Sequence, residues 1–311
     1  MRRKRHKIPA DPARTGIPAP TLSLILITYN RYGELNRTLS TLKSQDTDFE
    51  LVVVDNGSTS EGAVRLEEFP KAKFLRLETN LGATGGRNAG IGLATGDILV
   101  FLDDDASFVG AGTLSGIRER FRREERLGIV ASDSRLFPSG EVERAAVPRR
   151  DKRILPGDYR TSYFCGVSFA VRRRFLEETG GFSTSLFLYT EELDLSWRFL
   201  DRGYEIVRAS DYLVFHRLSP VERNRGRWIY YNTRNRVRLS LLHLPWRYVA
   251  SYCLLWWGYL FFRSLRDRTV PSFLSGVRDC LLGVPDLLKR RRVLRKKTIE
   301  TIRRLNGRIP Y

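Results

Sequence analysis

The chain has 311 residues and a formal net charge of +19, from 54 Lys and Arg against 35 Asp and Glu. Hydrophobic residues make up 42% of it and aromatic residues 11%, which excludes a disordered chain, a collagen and a coiled coil and predicts a globular protein. Its three cysteines lie far apart with no Cys-x-x-Cys pair, which argues against a disulfide framework or a zinc knuckle and favours a reducing compartment.

The chain begins with a basic tail at residues 1–20, which carries six Lys and Arg and one acidic residue. Prolines and charged residues stand where a secretion signal would need an apolar segment, so secretion is not expected. We expect this tail to be disordered and to precede a domain at residues 21–240.

Four short apolar runs predict buried strands, at residues 22–28, 50–55, 73–77 and 97–102. Leucines at helical spacing follow the first run and predict a helix there. Between the third and fourth predicted strands, Thr84 is expected to cap a helix that ends near Gly96. Strand and helix therefore alternate. This order predicts an α/β fold with a mostly parallel sheet and helices on both faces.

Polar residues follow every one of the four predicted strands, where ligands of open α/β sheets bind. They are Thr28, Asn30 and Arg31, then Asp55 and Asn56, then Asn80 and Gly82, and finally Asp103, Asp104 and Asp105. Plain turns favour such residues too, so one group alone would be weak evidence. Four groups at one edge predict a functional site.

The three consecutive carboxylates after the fourth strand predict a metal site. Adjacent acids repel one another unless a cation or hydrogen-bond donors compensate them. In an extended chain Asp103 and Asp105 point to one side and Asp104 to the other. Oxygen ligands suit Mg²⁺ or Mn²⁺ shared with substrate phosphates. The alternative is an acidic surface turn.

A glycine-rich stretch at residues 80–90 combines glycines with a predicted helix start and the cation Arg87. Backbone N–H groups and the helix dipole favour an anion there, so we expect a diphosphate beside Gly82, Arg87 and Asn88. The spacing fits neither a P-loop nor a dinucleotide fingerprint.

A helix is predicted at residues 190–203, capped by Thr190 and stopped at Gly203. Asp194 has Arg198 at i,i+4, and Glu191 lies on roughly the same face. Glu192 has no such neighbour. Its carboxylate near the helix start is expected to stay ionised and to project into a cleft as a proton acceptor, the alternative being a solvated glutamate.

His216 ends an apolar run, and a lone histidine at a strand end is more often packed than ligating. We expect it to become a third metal ligand only if the sheet brings it to Asp105.

The C-terminal part of the chain is strongly basic, with 22 Lys and Arg against five acidic residues at 217–311. This charge predicts a polyanionic partner, either nucleic acid or an anionic membrane. The uncharged, Trp- and Tyr-rich stretch at 248–262 is shorter than the roughly 20 residues of a spanning helix. It predicts a membrane-surface or re-entrant helix, or else a buried core helix. The clusters at 289–292 and 295–297 fit anionic lipid headgroups or a solvated tail.

Taken together, these segments resemble the family-2 glycosyltransferases, which are inverting enzymes with the Rossmann-like GT-A fold. The resemblance covers about residues 21–240 and rests on the ordered series LITYNR, VVVDNGS, NLGATGGRNAG, FLDDDA, FCGVSFAVRR, EELDLSWR and VFH. YYNTRNRVRL at 230–239 is similar to a segment of bacterial rhamnosyl- and galactofuranosyltransferases.

The resemblance implies a role for individual residues. It implies that Asp55 binds the pyrimidine base with Thr28 and Asn30 nearby, that Asp103 contacts the ribose or the metal, and that Asp105 ligates Mg²⁺ or Mn²⁺, with His216 as a further ligand. Glu192 stands where the family usually has an aspartate base, so Glu191 and Asp194 remain alternatives. The segment at 161–190, with Cys165, Gly166 and Gly181, would form the acceptor wall.

The implied activity is transfer of a sugar from a UDP- or dTDP-linked donor to a glycan or lipid-linked acceptor, by a single in-line displacement in cell-envelope polysaccharide synthesis. Residues 241–311 would form a helical segment that associates peripherally with the cytoplasmic face of the membrane. Two other function classes remain open. One is a nucleic-acid-binding protein that uses the basic C-terminal part, although nothing in that part explains three acids at a strand end. The other is a nucleotidyltransferase.

Overall fold

The structure is a computed structural model that describes residues 19–221, 224–307 and 309, so most of the predicted basic tail lies outside it. The strands are β1 Leu22–Thr28, β2 Glu50–Asp55, β3 Lys73–Arg76, β4 Ile98–Asp103, β5 Ala106–Phe108, β6 Leu127–Leu136, β7 Tyr159–Arg160, β8 Ser168–Arg172 and β9 Glu205–His216. The helices are α1 Tyr32–Leu42, α2 Gly82–Leu93, α3 Thr113–Arg123, α4 Arg173–Thr179, α5 Glu191–Asp201, α6 Arg225–His243, α7 Trp246–Arg266, α8 Val270–Leu282, α9 Val284–Lys289 and α10 Lys296–Arg304.

The strands form one mixed sheet in the order β3-β2-β1-β4-β8-β6-β9-β5, with β7 paired to β9. The first four strands are parallel, as the alternating pattern predicts, and their bounds agree with the predicted ones within one residue. The second half departs from a mostly parallel sheet, because β8 runs antiparallel between β4 and β6. An apolar run identifies a strand but not its direction.

Helices cover both faces of the sheet, and alternate residues of each central strand point to opposite faces. Leu24 and Leu26 of β1 join a core with α1 and α3. Ile25 joins the opposite core with α4 and α5. Because both faces are buried, the strand ends are the part of the sheet that is left for ligands.

Neither predicted helix cap forms. Thr84 lies inside α2, and its N–H and hydroxyl both point to the carbonyl of Phe187, at 3.3 and 3.5 Å. Thr190 does precede α5, but its hydroxyl makes no capping hydrogen bond and its φ is +68°. The sequence places a hydroxyl correctly near a helix start, but the loop geometry decides whether it reaches the backbone.

The C-terminal helices share a core with the sheet domain. Trp197 of α5 is fully buried against Tyr252 of α7, with ring centroids 6.4 Å apart, and Leu239 of α6 belongs to the same cluster. The predicted boundary at residue 240 falls inside α6. A chain cut there would expose Trp197, so the C-terminal region is better tested by point substitution than by truncation.

The α7 helix is buried on one side and exposes large apolar side chains on the other. Tyr252 and Leu260 are buried, whereas Leu254 is 76% exposed and Phe262 71%. Positions 254, 255, 258, 261, 262 and 265 form one stripe of the helix. Among the described residues, no helix combines the length and the apolarity that a membrane crossing requires.

The packing of α2 on β1 gives a test of the fold. A Cβ on Gly90 would lie 2.5 Å from the Ile25 side chain in the core, whereas one on Gly92 would meet nothing within 4 Å. We expect Gly90→Ala to lower the free energy of unfolding by about 1–3 kcal/mol, because the core cannot accept the extra methyl. Gly92→Ala, the control in the same helix, should raise it by roughly 0.5–1 kcal/mol.

Urea denaturation of both variants measures the two changes. If Gly90→Ala were as stable as Gly92→Ala, close packing of α2 on the sheet would not be the reason for a glycine at position 90.

Candidate active site

The carboxyl ends of β4 and β9 meet at one edge of the sheet. Asp103 ends β4, with Asp104 and Asp105 directly after it, and His216 ends β9. The short strand β5 pairs antiparallel with β9 and places Ala106 opposite His216. This register brings His216 beside Asp105, and Nε2 of the imidazole lies 3.3 Å from Oδ1 of the carboxylate.

Asp103, Asp105 and His216 form a candidate metal centre, in which one ligand atom from each residue lies within 4.8 Å of the others. Two carboxylates and an imidazole suit a divalent cation such as Mg²⁺ or Mn²⁺. About 37% of the Asp103 side chain is exposed, whereas Asp105 is buried. Burial and the negative charge of Asp105 raise the pKa of Asp103, as expected for carboxylates that a cation would stabilise.

Glu143 contacts His216 on the side of the ring away from Asp105, and no sequence pattern indicated this residue. Its Oε2 lies 2.9 Å from Nδ1 of His216 and accepts a hydrogen bond from the Ser134 hydroxyl at 2.6 Å. Burial lowers the pKa of His216, but hydrogen bonds to Asp105 and Glu143 outweigh it and raise the pKa to about 9. A carboxylate on Nδ1 leaves Nε2 directed at the metal centre.

Asp104 points away from the metal centre, as the alternation predicts. Its Oδ2 accepts hydrogen bonds from the Thr28 hydroxyl at 2.7 Å and from Nε of Arg31 at 3.2 Å. Arg31 also reaches Asp105 at 3.2 Å. Burial raises the pKa of Asp104 to about 7, against the lowering effect of Arg31. Thr28 and Arg31, predicted to contact the nucleotide, thus hold the acidic turn.

Asp55 is fully buried at the end of β2. It accepts hydrogen bonds from the Tyr32 hydroxyl at 2.7 Å and the Ser58 N–H at 2.9 Å, and Nε of Arg76 lies 3.5 Å away. Asn30 binds the same loop, because its side-chain oxygen accepts the N–H groups of residues 59 and 60. Asp55 and Asn30, both expected near the pyrimidine base, thus hold the loop after β2 in its conformation. Tyr32 contributes through its hydrogen bond to Asp55, and no sequence pattern indicated this contact.

The glycine-rich stretch at residues 80–90 packs closely against the loop at 182–187. A Cβ on Gly82, whose φ is +72°, would clash with the carbonyl of Phe187. The Asn80 side chain accepts the Gly82 N–H at 2.8 Å, and the Asn88 amide binds the backbone of Phe182 in both directions, at 2.8 and 3.0 Å. These residues fix the turn before α2 and its contact with the loop at 182–187.

Arg87 lies buried between the metal centre and α5. Its Nη1 is 3.0 Å from Glu191 and 3.6 Å from Glu192, and its Nη2 is 4.0 Å from Asp103. The guanidinium also lies over the Phe169 ring, 5.5 Å from its centroid. The cation expected to face a diphosphate therefore faces three carboxylates.

Glu191 and Glu192 differ in surroundings although they are adjacent. Glu191 is buried, and burial together with the charge of Glu192 raises the pKa of Glu191 to about 8. Its ion-pair partner is Arg87. Glu192 is partly exposed, so of the two it is the carboxylate that is open to solvent.

Asp194 is occupied by other partners. Arg198 binds one of its oxygens at 2.6 Å, and Nε2 of His243 lies 2.8 Å from the other. Burial would raise the pKa of Asp194, but Arg198 and His243 outweigh it and lower the pKa to about 2. This carboxylate fastens α5 to α6, and it is poorly suited to accept a proton.

Of the three residues predicted for the acceptor wall, Cys165 and Gly166 lie beside Glu192, whereas Gly181 lies against Asn88. A Cβ on Gly166 would collide with Oε1 of Glu192 and lie 2.7 Å from Nη2 of Arg87, so the glycine makes room for both side chains. Burial and the charge of Glu192 raise the pKa of the neighbouring Cys165 to about 12, which keeps it a thiol. Gly181, with φ +69°, packs on the Asn88 side chain.

Comparisons with known proteins point in one direction. A family model described as Glycosyl transferase family 2 matches residues 23–180. The chain is 25% identical over 177 residues to the GalNAc(5)-diNAcBac-PP-undecaprenol beta-1,3-glucosyltransferase of Campylobacter jejuni, a match that covers 54% of this chain and 56% of the relative. It is 26% identical over 272 residues to the poly-beta-1,6-N-acetyl-D-glucosamine synthase of Staphylococcus epidermidis, covering 77% and 63%. The chain thus spans less than two thirds of the length of each relative.

Solved structures share the fold. S. aureus TarS 1–349 in complex with UDP-GlcNAc matches with a TM-score of 0.61 and 17% identity, covering 92% of this chain and 90% of that one. GalNAc-T7 with UDP, GalNAc and Mn²⁺ matches with a TM-score of 0.61 and 18% identity, covering 76% and 50%. At these identities the likeness shows the fold alone, and it confirms the expected α/β, GT-A architecture.

The metal centre gives a direct test. We expect Mn²⁺ to bind the protein, Asp105→Asn to remove most of that binding, and Glu143→Ala to weaken it roughly 10- to 100-fold by releasing His216. Glu141→Ala, an exposed residue of the same loop, is the control. Titration followed by the electron paramagnetic resonance of free Mn²⁺ measures the affinities. Wild-type affinity in Glu143→Ala would mean that Glu143 does not orient a metal ligand.

Proposed function

The chain belongs to glycosyl transferase family 2, and from that premise we propose that it transfers a sugar from a nucleoside-diphosphate sugar to a hydroxyl group of a glycan or lipid-linked acceptor. The observation that carries the proposal is the bridge made by Arg87. This one buried guanidinium contacts both Asp103 of the metal centre and Glu192 at the start of α5. A metal-bound diphosphate and a carboxylate base would therefore flank a common space.

In the proposed reaction, Glu192 accepts the proton of the acceptor hydroxyl while the oxygen of that hydroxyl bonds to the anomeric carbon. The bond from that carbon to the diphosphate oxygen breaks, and the nucleoside diphosphate leaves with the electron pair, which inverts the configuration. A Mg²⁺ or Mn²⁺ ion held by Asp103, Asp105 and His216 would supply positive charge for the leaving diphosphate. Arg87 keeps Glu192 in place, and burial together with the charge of Glu192 raises the pKa of Glu191, which favours its neutral form.

The donor is proposed to be a UDP- or dTDP-sugar. TarS and GalNAc-T7 are solved with uridine nucleotides, which supports a uridine-type base. We propose that the base lies against the loop that Asp55 and Asn30 organise, at the end of β2 beside β1. A screen of UDP-, dTDP- and GDP-sugars with Mn²⁺ tests the function directly, and addition of EDTA should abolish turnover.

The acceptor is proposed to be lipid-linked, and the protein to work at the cytoplasmic face of a membrane. The Campylobacter relative is named for a PP-undecaprenol substrate, which supports such an acceptor. The apolar stripe of α7 is exposed, and arginines such as Arg263 and Arg266 lie on the same helix. Apolar burial combined with basic residues favours an anionic membrane surface.

Glu192→Gln tests the proposed base. We expect donor binding to be retained and turnover to fall by at least about 100-fold, because a positioned general base typically contributes 10² to 10⁴. Glu191→Gln is the matched variant and should keep most of the activity, since Gln resembles the protonated acid. Steady-state kinetics and titration with UDP measure the two properties. A large loss in Glu191→Gln with none in Glu192→Gln would assign the base to Glu191 instead.

Flotation on anionic liposomes tests the membrane proposal. We expect the full chain to float at low salt, and Leu254→Ser/Phe262→Ser to reduce its partition at least about tenfold, because each buried side chain of this size is worth about 1.5–3 kcal/mol. Val109→Ser/Ile154→Ser, which changes exposed apolar residues elsewhere, is the control. Equal flotation of both double variants would contradict the role of the stripe, and retention on DNA at matched salt would favour the nucleic-acid alternative.

A further inference from the structure

A cavity of about 440 Å³ lies between the loop after β6 and the end of α10, outside the site described above. Its volume is in the range of small-molecule sites. The residues that line it are Arg149, Arg150, Arg303, Arg304, Asn306, Gly307 and Ile309. Of these seven described residues, four are arginines and none is acidic. A wall of this composition selects for a multiply charged anion.

The acidic neighbour of the cavity does not neutralise it. Asp151 binds Arg149 through two hydrogen bonds, at 3.0 and 2.7 Å, and among the described contacts it makes no ion pair with Arg303 or Arg304. Arg303 and Arg304 are exposed, and Arg303 lies over the Tyr248 ring, 5.2 Å from its centroid. Planar guanidinium groups that converge on one space are the usual way in which proteins bind phosphate oxygens.

The wall of the cavity is tied together by its own hydrogen bonds. The Arg150 N–H donates to the Asn306 carbonyl at 2.9 Å, and the Asn306 side-chain amide donates to Asp151 at 2.6 Å. A Cβ on Gly307 would collide with the Ser162 hydroxyl, so the turn after α10 packs directly against the segment that contains Ser162. The cavity is therefore formed before any ligand arrives, which limits the ordering cost of binding.

The segment at residues 162–166 connects the wall of the cavity to the surroundings of Glu192. Ser162, which Gly307 contacts, precedes Gly166 by four residues, and Gly166 makes room for the Glu192 carboxylate. Four extended residues span at most about 14 Å, so the cavity wall and the carboxylate are separated by a distance that a short oligosaccharide can bridge. Arg303, which lines the cavity, lies over the Tyr248 ring at the start of α7, the helix that carries the exposed apolar stripe.

We propose that this cavity binds the diphosphate group of the lipid-linked acceptor, with its sugar end extending to Glu192 and its lipid end along α7. The inference rests on the proposed function for the identity of the acceptor. It assigns an anion site, separate from the metal centre, that selects acceptors by their phosphate charge. Arg303 and Arg304 supply the exposed cationic side, and Arg149 with its Asp151 partner forms the fixed side.

Calorimetric titration of the full chain with inorganic pyrophosphate and with farnesyl diphosphate tests the site. EDTA is present throughout, so that metal-bridged binding at Asp105 does not contribute. We expect both probes to bind, and Arg303→Gln/Arg304→Gln to weaken both by at least about tenfold through loss of charge-assisted hydrogen bonds. Lys296→Gln/Lys297→Gln, at the other end of α10, removes the same charge and should bind as the wild type does.

Three results would overturn the proposal: no binding of pyrophosphate to the wild type, equal weakening in both double variants, or equally tight binding of dihexanoylphosphatidylglycerol, which would identify a phospholipid headgroup site. A parallel titration with UDP and Mn²⁺ separates this inference from the proposed function. If UDP binds and pyrophosphate in EDTA does not, only the acceptor site is wrong. If UDP with Mn²⁺ does not bind either, the proposed function fails as well.

Discussion

The buried guanidinium of Arg87 is the interaction on which the rest of the site depends. Asp103, Glu191 and Glu192 all lie within 4.0 Å of it, and carboxylates at such spacing would repel one another and open the cleft if no cation stood between them. One cation does not balance three acids, so the most buried of them, Glu191, has its pKa raised to about 8. This charge imbalance is the physical reason for the different roles that we propose for Glu191 and Glu192.

Backbone packing sets where that guanidinium can stand. Gly86 and Gly90 let α2 lie directly on Ile27 and Ile25 of β1, and Gly82 does the same against Phe187. Arg87 projects from this closely packed helix towards α5, where Gly166 clears the space for Glu192. These glycines thus let α2 pack directly on β1 and on the loop that contains Phe187.

The C-terminal helices α6 and α7 contact α5, and α7 also carries the exposed apolar stripe. His243 of α6 fixes Asp194, and Tyr252 of α7 covers Trp197, so α5 is held from behind by the same helices that expose an apolar stripe. A surface that attaches to a membrane would in this way be rigidly connected to the helix that carries the proposed base. The arginine-lined cavity is linked to α7 through Arg303, which lies over the Tyr248 ring at the start of that helix.

The sequence by itself determined the bounds of the first four strands within one residue, the polar residues at their carboxyl ends and the opposite directions of Asp104 and its two neighbours, because apolar runs and side-chain alternation are local properties. Only the tertiary structure decided which partners these residues have. Glu143 lies 73 positions from His216, and Arg87 lies 104 positions from Glu191, so no spacing rule connects them. The same holds for the antiparallel β8 and for the cavity at the end of α10. Strand direction, buried ion pairs and convergent arginines arise from contacts between distant segments, which a local pattern does not encode.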